Sequence, residues 1–312
     1  MPTVMRPLSY GFVLALLAWT SLAAAPVAAQ SETGQPDPIV PDDATVEVVA
    51  TGFQFTEGPL WMDDGTLLFS DIPASTVYQW VEGDSVRVFR RPSGRSNGIA
   101  RSPQGDLILA QHDGRVSRIT RDGQEIVLAD AYDGKRLNSP NDLVVSRRGS
   151  VYFTDPPYGV SPEERELEIN GVYRLDGTGE VTLLADDFER PNGIVFSPDE
   201  SVLYVNDTQT SDIRVFDVQP DGTLANGRVF ATMDPPDDSG AADGMVVDAS
   251  GNLYTTGPGG VWIYRPDGTL LDRIDTPMNV TNAAWGGPDA SVLYLTAPDR
   301  IYRIALNATG LR

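Results

Sequence analysis

Six segments of this 312-residue chain repeat one pattern, and that repetition constrains the fold more than any other feature. They are TEGPLWMDDGTLLFSD (56–71), SNGIARSPQGDLILAQH (96–112), SPNDLVVSRRGSVYFTD (139–155), RPNGIVFSPDESVLYVND (190–207), AADGMVVDASGNLYTTG (241–257) and TNAAWGGPDASVLYLT (281–296). In each, a polar residue precedes a small one, then comes an apolar run, a turn and a second apolar run. The leading polar positions are Glu57, Asn97, Asn141, Asn192, Asp243 and Asn282, separated by 40, 44, 51, 51 and 39 residues. That spacing is the size of a four-stranded propeller blade. Runs such as Val151-Tyr152-Phe153-Thr154 are β-branched and aromatic, as strands require. The chain is therefore expected to be all-β, a six-bladed β-propeller with four strands per blade. Outer strands are expected at Val77–Trp80 with Val86–Phe89, and at Ile213–Val218 with Arg228–Thr232. The last blade is one strand short, and Thr45–Ala50 is available to complete it and close the ring without open edges.

In a propeller the first strand of each blade lines the central tunnel, so the six leading residues are expected on one ring at its mouth. Two carboxylates, Glu57 and Asp243, and the amides Asn97, Asn141, Asn192 and Asn282 make a set of hard oxygen donors. Such a set suits Ca²⁺, Mg²⁺ or Mn²⁺, and two carboxylates nearly neutralise a divalent ion. Taken singly, each residue also fits a turn, because Asn and Asp favour strand-entry turns. The second strands end at Asp71, His112, Asp155, Asp207, Thr256 and Thr296, expected as an outer ring. His112 is the chain's single histidine and is placed near substrate, while the three aspartates equally suit turn capping. Residues 156–170, PPYGVSPEERELEIN, are an insertion in blade three that reaches over the mouth, with Tyr158 as its substrate contact.

Residues 1–29 read as an export signal: Arg6, an apolar stretch from Leu8 to Ala24, and Val27-Ala28-Ala29 before Gln30. Residues 30–43 are expected as a flexible lead-in and 44–312 as the propeller. The mature protein is then periplasmic or secreted, and not membrane-bound once the signal is cleaved. The absence of cysteine excludes a thiol nucleophile and a Cys-based zinc site. A net charge of −21 argues against nucleic-acid partners, which need a basic patch.

The segments Glu57-Gly58-Pro59-Leu60-Trp61, Asn138-Ser139-Pro140-Asn141-Asp142-Leu143, Tyr152-Phe153-Thr154-Asp155-Pro156-Pro157-Tyr158-Gly159, Arg190-Pro191-Asn192-Gly193 and Asp243-Gly244-Met245 resemble the SMP-30/gluconolactonase family, especially its bacterial gluconolactonase-like members. The resemblance covers essentially the whole mature chain. It implies one divalent cation, Ca²⁺ first and Mg²⁺, Mn²⁺, Zn²⁺ or Fe²⁺ as alternatives. Glu57, Asn192 and Asp243 would hold it, with Asn141 as a fourth ligand or substrate-orienting group. It implies lactonase activity on a sugar lactone; Asn97 is expected as pocket lining, and His112 and Tyr158 are expected at the substrate from their places in the repeat and the insertion. Some relatives carry an arginine where this chain has Ser139, so that substrate contact is not expected here.

The expected chemistry is metal-assisted ester hydrolysis, with Asp243 taking the proton of the attacking water. Phosphotriester hydrolysis at the same site, and a non-catalytic propeller stabilised by its metal, are the alternatives. A nucleophilic serine is disfavoured by the lack of a G-x-S-x-G elbow. The export signal makes the first prediction. N-terminal sequencing of protein recovered outside the cytoplasm is expected to begin near Gln30, and intact Met1 on soluble cytoplasmic protein would count against it.

Overall fold

Alternate residues on the inner strands meet opposite neighbours, and this decides how the blades stack. On the strand Val151–Asp155 every residue is buried. Tyr152 packs edge-on against Phe196 of the next blade, with ring centroids 4.9 Å apart. Its neighbour Phe153 turns the other way, into a core shared with Ile108, Val116 and Leu137 of the preceding blade region. Inner strands therefore read as continuous apolar runs, because both faces are covered. Outermost strands such as Leu224–Thr232 stay largely exposed.

A computed structural model describes residues 1–4, 38–234 and 241–311, and no helix occurs among them. Residues 5–37, which hold most of the expected export signal and the first part of the expected lead-in, lie outside the described residues. Six four-stranded antiparallel sheets form a six-bladed β-propeller, with a small two-stranded ribbon at Ala131–Tyr132 and Lys135–Arg136. The tunnel-lining first strands begin blades one to six at Thr56, Ser96, Leu143, Pro191, Met245 and Asn282. The expected outer strands are present as Thr76–Val81 with Arg87–Arg90 and Asp212–Val218 with Leu224–Thr232.

The ring closes as the sequence suggested. Glu47–Thr51 pairs antiparallel with Arg300–Ala305, placing Glu47 opposite Arg303 and Thr51 opposite Arg300. Blade six is thus built from both ends of the propeller. Inside the seam, the Thr56 hydroxyl donates to Ala297 O at 2.5 Å, and Thr281 Oγ1 donates to Thr56 O at 2.8 Å. The residues just before the closing strand also belong to this blade. Ile39, Val40, Ala44 and Val46 pack on its core, and Asn307 N donates to Ile39 O at 2.9 Å.

Blades approach most closely where a ring residue is followed by glycine. A Cβ on Gly58 would fall onto the carbonyl oxygen of Asn97, and one on Gly193 onto that of Asp243. Blades three and six are the exceptions, with Asp142 and Ala283 at this position.

Deleting residues through Gly52 removes the closing strand and leaves the outer edge of Arg300–Ala305 in blade six unpaired. Cooperative thermal unfolding is expected to be lost, whereas deletion through Asp37 leaves it intact. An unchanged calorimetric transition for the longer deletion would contradict closure by this strand.

Candidate active site

The strand-entry residues converge because each occupies the same register in its blade. Glu57, Asn97, Asn141 and Asn192 are all 5% exposed or less, and Asp243 is partly open to the mouth. All seven residues singled out from the sequence, these five with His112 and Tyr158, line one cavity of about 360 Å³. Asn282 does not line it. Its amide turns down the tunnel, with Oδ1 accepting from Ala283 N at 2.8 Å and Nδ2 lying 3.5 Å from Asp142 Oδ2.

Along one side of the ring the amides are linked in series. Asn97 Nδ2 donates to Asn141 Oδ1, and Asn141 Nδ2 donates to Asn192 Oδ1 at 2.5 Å. Asn192 Nδ2 donates to Thr208 Oγ1 at 2.9 Å. His112 Nε2 lies 3.2 Å from Asn141 Oδ1, and burial pulls its pKa down to about 4, so the ring is neutral at pH 7. Tyr158 stands over the mouth, stacked near His112 with centroids 6.5 Å apart, and burial raises its phenol to about 12. Only the first turn of the blade-three insertion reaches the cavity. Further along, Leu167 is buried in the core that blades two and three share. Ser139 lies beneath this turn, donating to Pro156 O and accepting from Gly159 N at 2.8 Å.

The outer ring needs one correction of register. Asp71, Asp155 and Asp207 do not face the cavity. Each accepts two backbone N–H bonds from the segment leading into its ring residue: Gln54 and Phe55, Asn138 and Ser139, Glu189 and Arg190. Gln111, not His112, holds the equivalent place in blade two, opposite Ser96 as Asp71 is opposite Thr56. His112 is one residue further on, in the register of Ile72 and Thr208, and all three line the cavity. Thr256 and Thr296 sit instead one residue short of the aspartate register and are fully buried. A one-residue slip reverses the facing of a strand residue, which is why the slip matters. The sequence held a signal for the right register. Ile72 and His112 each follow their ring residue by 15 positions, and Thr208 follows by 16 because its turn is one residue longer.

A second residue escaped the sequence reading. Asp142 is 8% exposed, and its carboxylate faces into the tunnel below the ring, where it accepts from Leu143 N at 2.9 Å. It breaks the rule that a small residue follows the ring residue, and that exception was the available clue. Three carboxylates thus share the tunnel with no salt-bridged arginine or lysine among the described residues. Burial, then the charge of Asp142, raises Glu57 to about 8. Burial raises Asp142 to about 7. Burial, followed by the charges of Glu57 and Asp142, holds Asp243 well above the usual carboxylate range, offset in part by an Asn192 hydrogen bond. Buried carboxylates need a partner. Two of them beside amide oxygens form a donor set that fits one divalent cation, with Glu57, Asn141, Asn192 and Asp243 able to hold it. A wider groove of about 660 Å³ between blades four and five has Asp199, Arg228 and Asp267 exposed to solvent, without such a set.

Residues 55–298 match the family model described as SMP-30/Gluconolactonase/LRE-like region. The chain belongs to this family. It is 35% identical over 303 residues to a gluconolactonase of Zymomonas mobilis, covering 88% of this chain and 85% of that one. It is 28% identical over 259 residues to a pentonolactonase of Haloferax volcanii, covering 80% and 83%. The solved structure of a gluconolactonase from Xanthomonas campestris superposes with a TM-score of 0.78 at 34% identity, covering 88% of this chain and 96% of that one.

The raised carboxyls dictate a pH dependence. Their folded-state pKa values exceed the unfolded ones, so the neutral form favours the fold at low pH. That contribution is lost as pH rises through about 7 to 8. Metal-free protein is expected to melt at a lower temperature at about pH 8 than at about pH 5. Saturating divalent cation should reverse the trend, since binding takes the ionised carboxylates. A metal-free melting temperature that stays flat or rises over this window would contradict the crowding of charge.

Proposed function

We propose that this protein hydrolyses the ester bond of a sugar lactone, with a divalent cation held by Glu57, Asn141, Asn192 and Asp243. The observation that carries the reading is the pair of carboxylates, buried Glu57 and half-buried Asp243, that line one small cavity together with the amides of Asn97, Asn141 and Asn192. The gluconolactonase and pentonolactonase relatives support a lactone as substrate. Ca²⁺ is the favoured ion, because the donors are hard oxygens that include neutral amides. A cation bound there supplies Lewis-acid polarisation of the lactone carbonyl.

The protein's own groups do the rest. Water attacks the carbonyl carbon, and Asp243 accepts its proton. With a cation in the site that carboxylate would be ionised, and an oxygen left free of the cation could take the proton. The bond between the carbonyl carbon and the ring oxygen then breaks, and the ring oxygen takes up a proton, leaving an open hydroxy acid. Asn97, His112 and Tyr158 offer polar contacts on one side of the cavity to sugar hydroxyls. Phe55, Ile72 and Pro73, which also line the cavity, offer apolar contact to a C–H face. The protein is exported, and acts in the periplasm or outside the cell.

Two substitutions separate base from ligand. Asp243→Asn keeps size and an amide oxygen but removes the base, and Asn192→Asp keeps coordination and adds charge. In a pH-stat assay on δ-gluconolactone at saturating metal, Asp243→Asn is expected to lose roughly 10²–10⁴-fold in kcat. Asn192→Asp should retain turnover, with altered metal affinity. Recovery of Asp243→Asn to wild-type turnover by added metal would make Asp243 a ligand only, and His112 the next base to test. Full turnover in chelated protein would overturn the metal's role.

A further inference from the structure

The position shared by Ile72 and His112 carries a hydroxyl at Thr208 in blade four, beside a residue whose orientation matters. The Thr208 hydroxyl has one proton, and Ala242 O, 2.8 Å away, can only accept it. Thr208 must then meet its other neighbours as an acceptor. Asn192 Nδ2 reaches it at 2.9 Å and the Tyr158 hydroxyl at 3.0 Å. The nitrogen end of the Asn192 amide is thereby turned to Thr208. The oxygen end is left facing Asn141, whose Nδ2 donates to it at 2.5 Å. Asn141 Oδ1 accepts in turn from Asn97. The sense of the whole series is set where it ends, on a backbone carbonyl that has no alternative role.

We propose that Thr208 is a positioning residue that fixes the Asn192 amide, and through it Asn141, with oxygen rather than nitrogen presented to a bound cation. This rests on the reading of Asn192 as a ligand. The two ends of an amide are nearly equal in size, so packing alone does not choose between them. Asp243 also attracts the Asn192 amide N–H. A cation on Asp243 would compete for that carboxylate, which leaves Thr208 at 2.9 Å, with the Tyr158 hydroxyl a more distant acceptor at 3.4 Å, to hold the nitrogen outward. Thr208 is half-buried and makes no contact with the reacting atoms in this account. It acts through metal affinity, in the way that outer hydrogen-bond partners orient metal ligands elsewhere.

The test uses the full mature protein, stripped of metal and titrated with CaCl₂ by calorimetry. Thr208→Val keeps the branched shape but removes the hydroxyl, and Thr208→Ser keeps the hydroxyl. Thr208→Val is expected to weaken Ca²⁺ binding by roughly 10–100-fold. Thr208→Ser should bind as the wild type does, and the metal-free melting temperatures of all three should stay together. Saturating Ca²⁺ should restore lactone turnover in Thr208→Val, unlike Asp243→Asn. If Thr208→Val does not fold, Thr208→Ala carries the same expectation. Unchanged affinity in the hydroxyl-free variant, or equal weakening in Thr208→Ser, would overturn the positioning role alone. No Ca²⁺ binding by the wild type would overturn the ligand assignment itself, and this role with it.

Discussion

The antiparallel pairing of Glu47–Thr51 with Arg300–Ala305 is the contact on which the rest of this protein depends. A propeller blade cannot bury both of its faces alone, and each of the six relies on a neighbour at either side. Leaving one seam open would expose the core around Tyr254, Leu293 and Tyr302 and present unpaired strand edges to solvent. The seam is held chiefly by ladder hydrogen bonds and apolar packing. Arg303, which reaches both Glu47 and Glu82 at 2.8 Å, is a surface ion-pair centre and adds little.

Closure also creates the chemistry. Residues as distant in sequence as Glu57 and Asp243 share one tunnel only because the ring returns on itself. The glycines beside them let neighbouring blades approach closely enough for the ring residues to meet. The consequence is an electrostatic load: Glu57, Asp142 and Asp243 lie within mutual influence. Among the described residues no arginine or lysine forms a salt bridge to any of the three, and this is the setting of the proposed cation site. The buried aspartates of the outer register do a different job. Asp155, raised to about 7 by burial, is satisfied by the N–H groups of Asn138 and Ser139, and it stiffens the approach to Asn141.

Much of this was legible beforehand. The six leading residues, the blade count and the closing strand followed from spacing and from the missing strand in blade six. The site was partly legible. His112 was rightly brought near the cavity but in the wrong register, since blade two carries Gln111 where blades one, three and four carry aspartate. Polar residues at the strand ends align by type, whereas the spacing of 15 or 16 residues from the ring residue marks the positions that face the cavity. Thr208 and Ile72 were missed for the same reason, as residues of unremarkable type whose role comes from register. Asp142 was hidden behind Asn141, which drew the attention.

The sequence by itself determined the repeat, and with it the number of blades, the strand that closes them and the residues that begin each inner strand. These are local or periodic properties, set by strand pattern and turn spacing. Only the tertiary structure decided which side chains face the cavity, that Asn282 turns down the tunnel while its five counterparts line the mouth, and that Asp142 adds a third buried charge. The physical reason is that facing within a strand reverses with each residue. Burial and mutual charge, for their part, exist only once six separate segments occupy the same few hundred cubic ångströms.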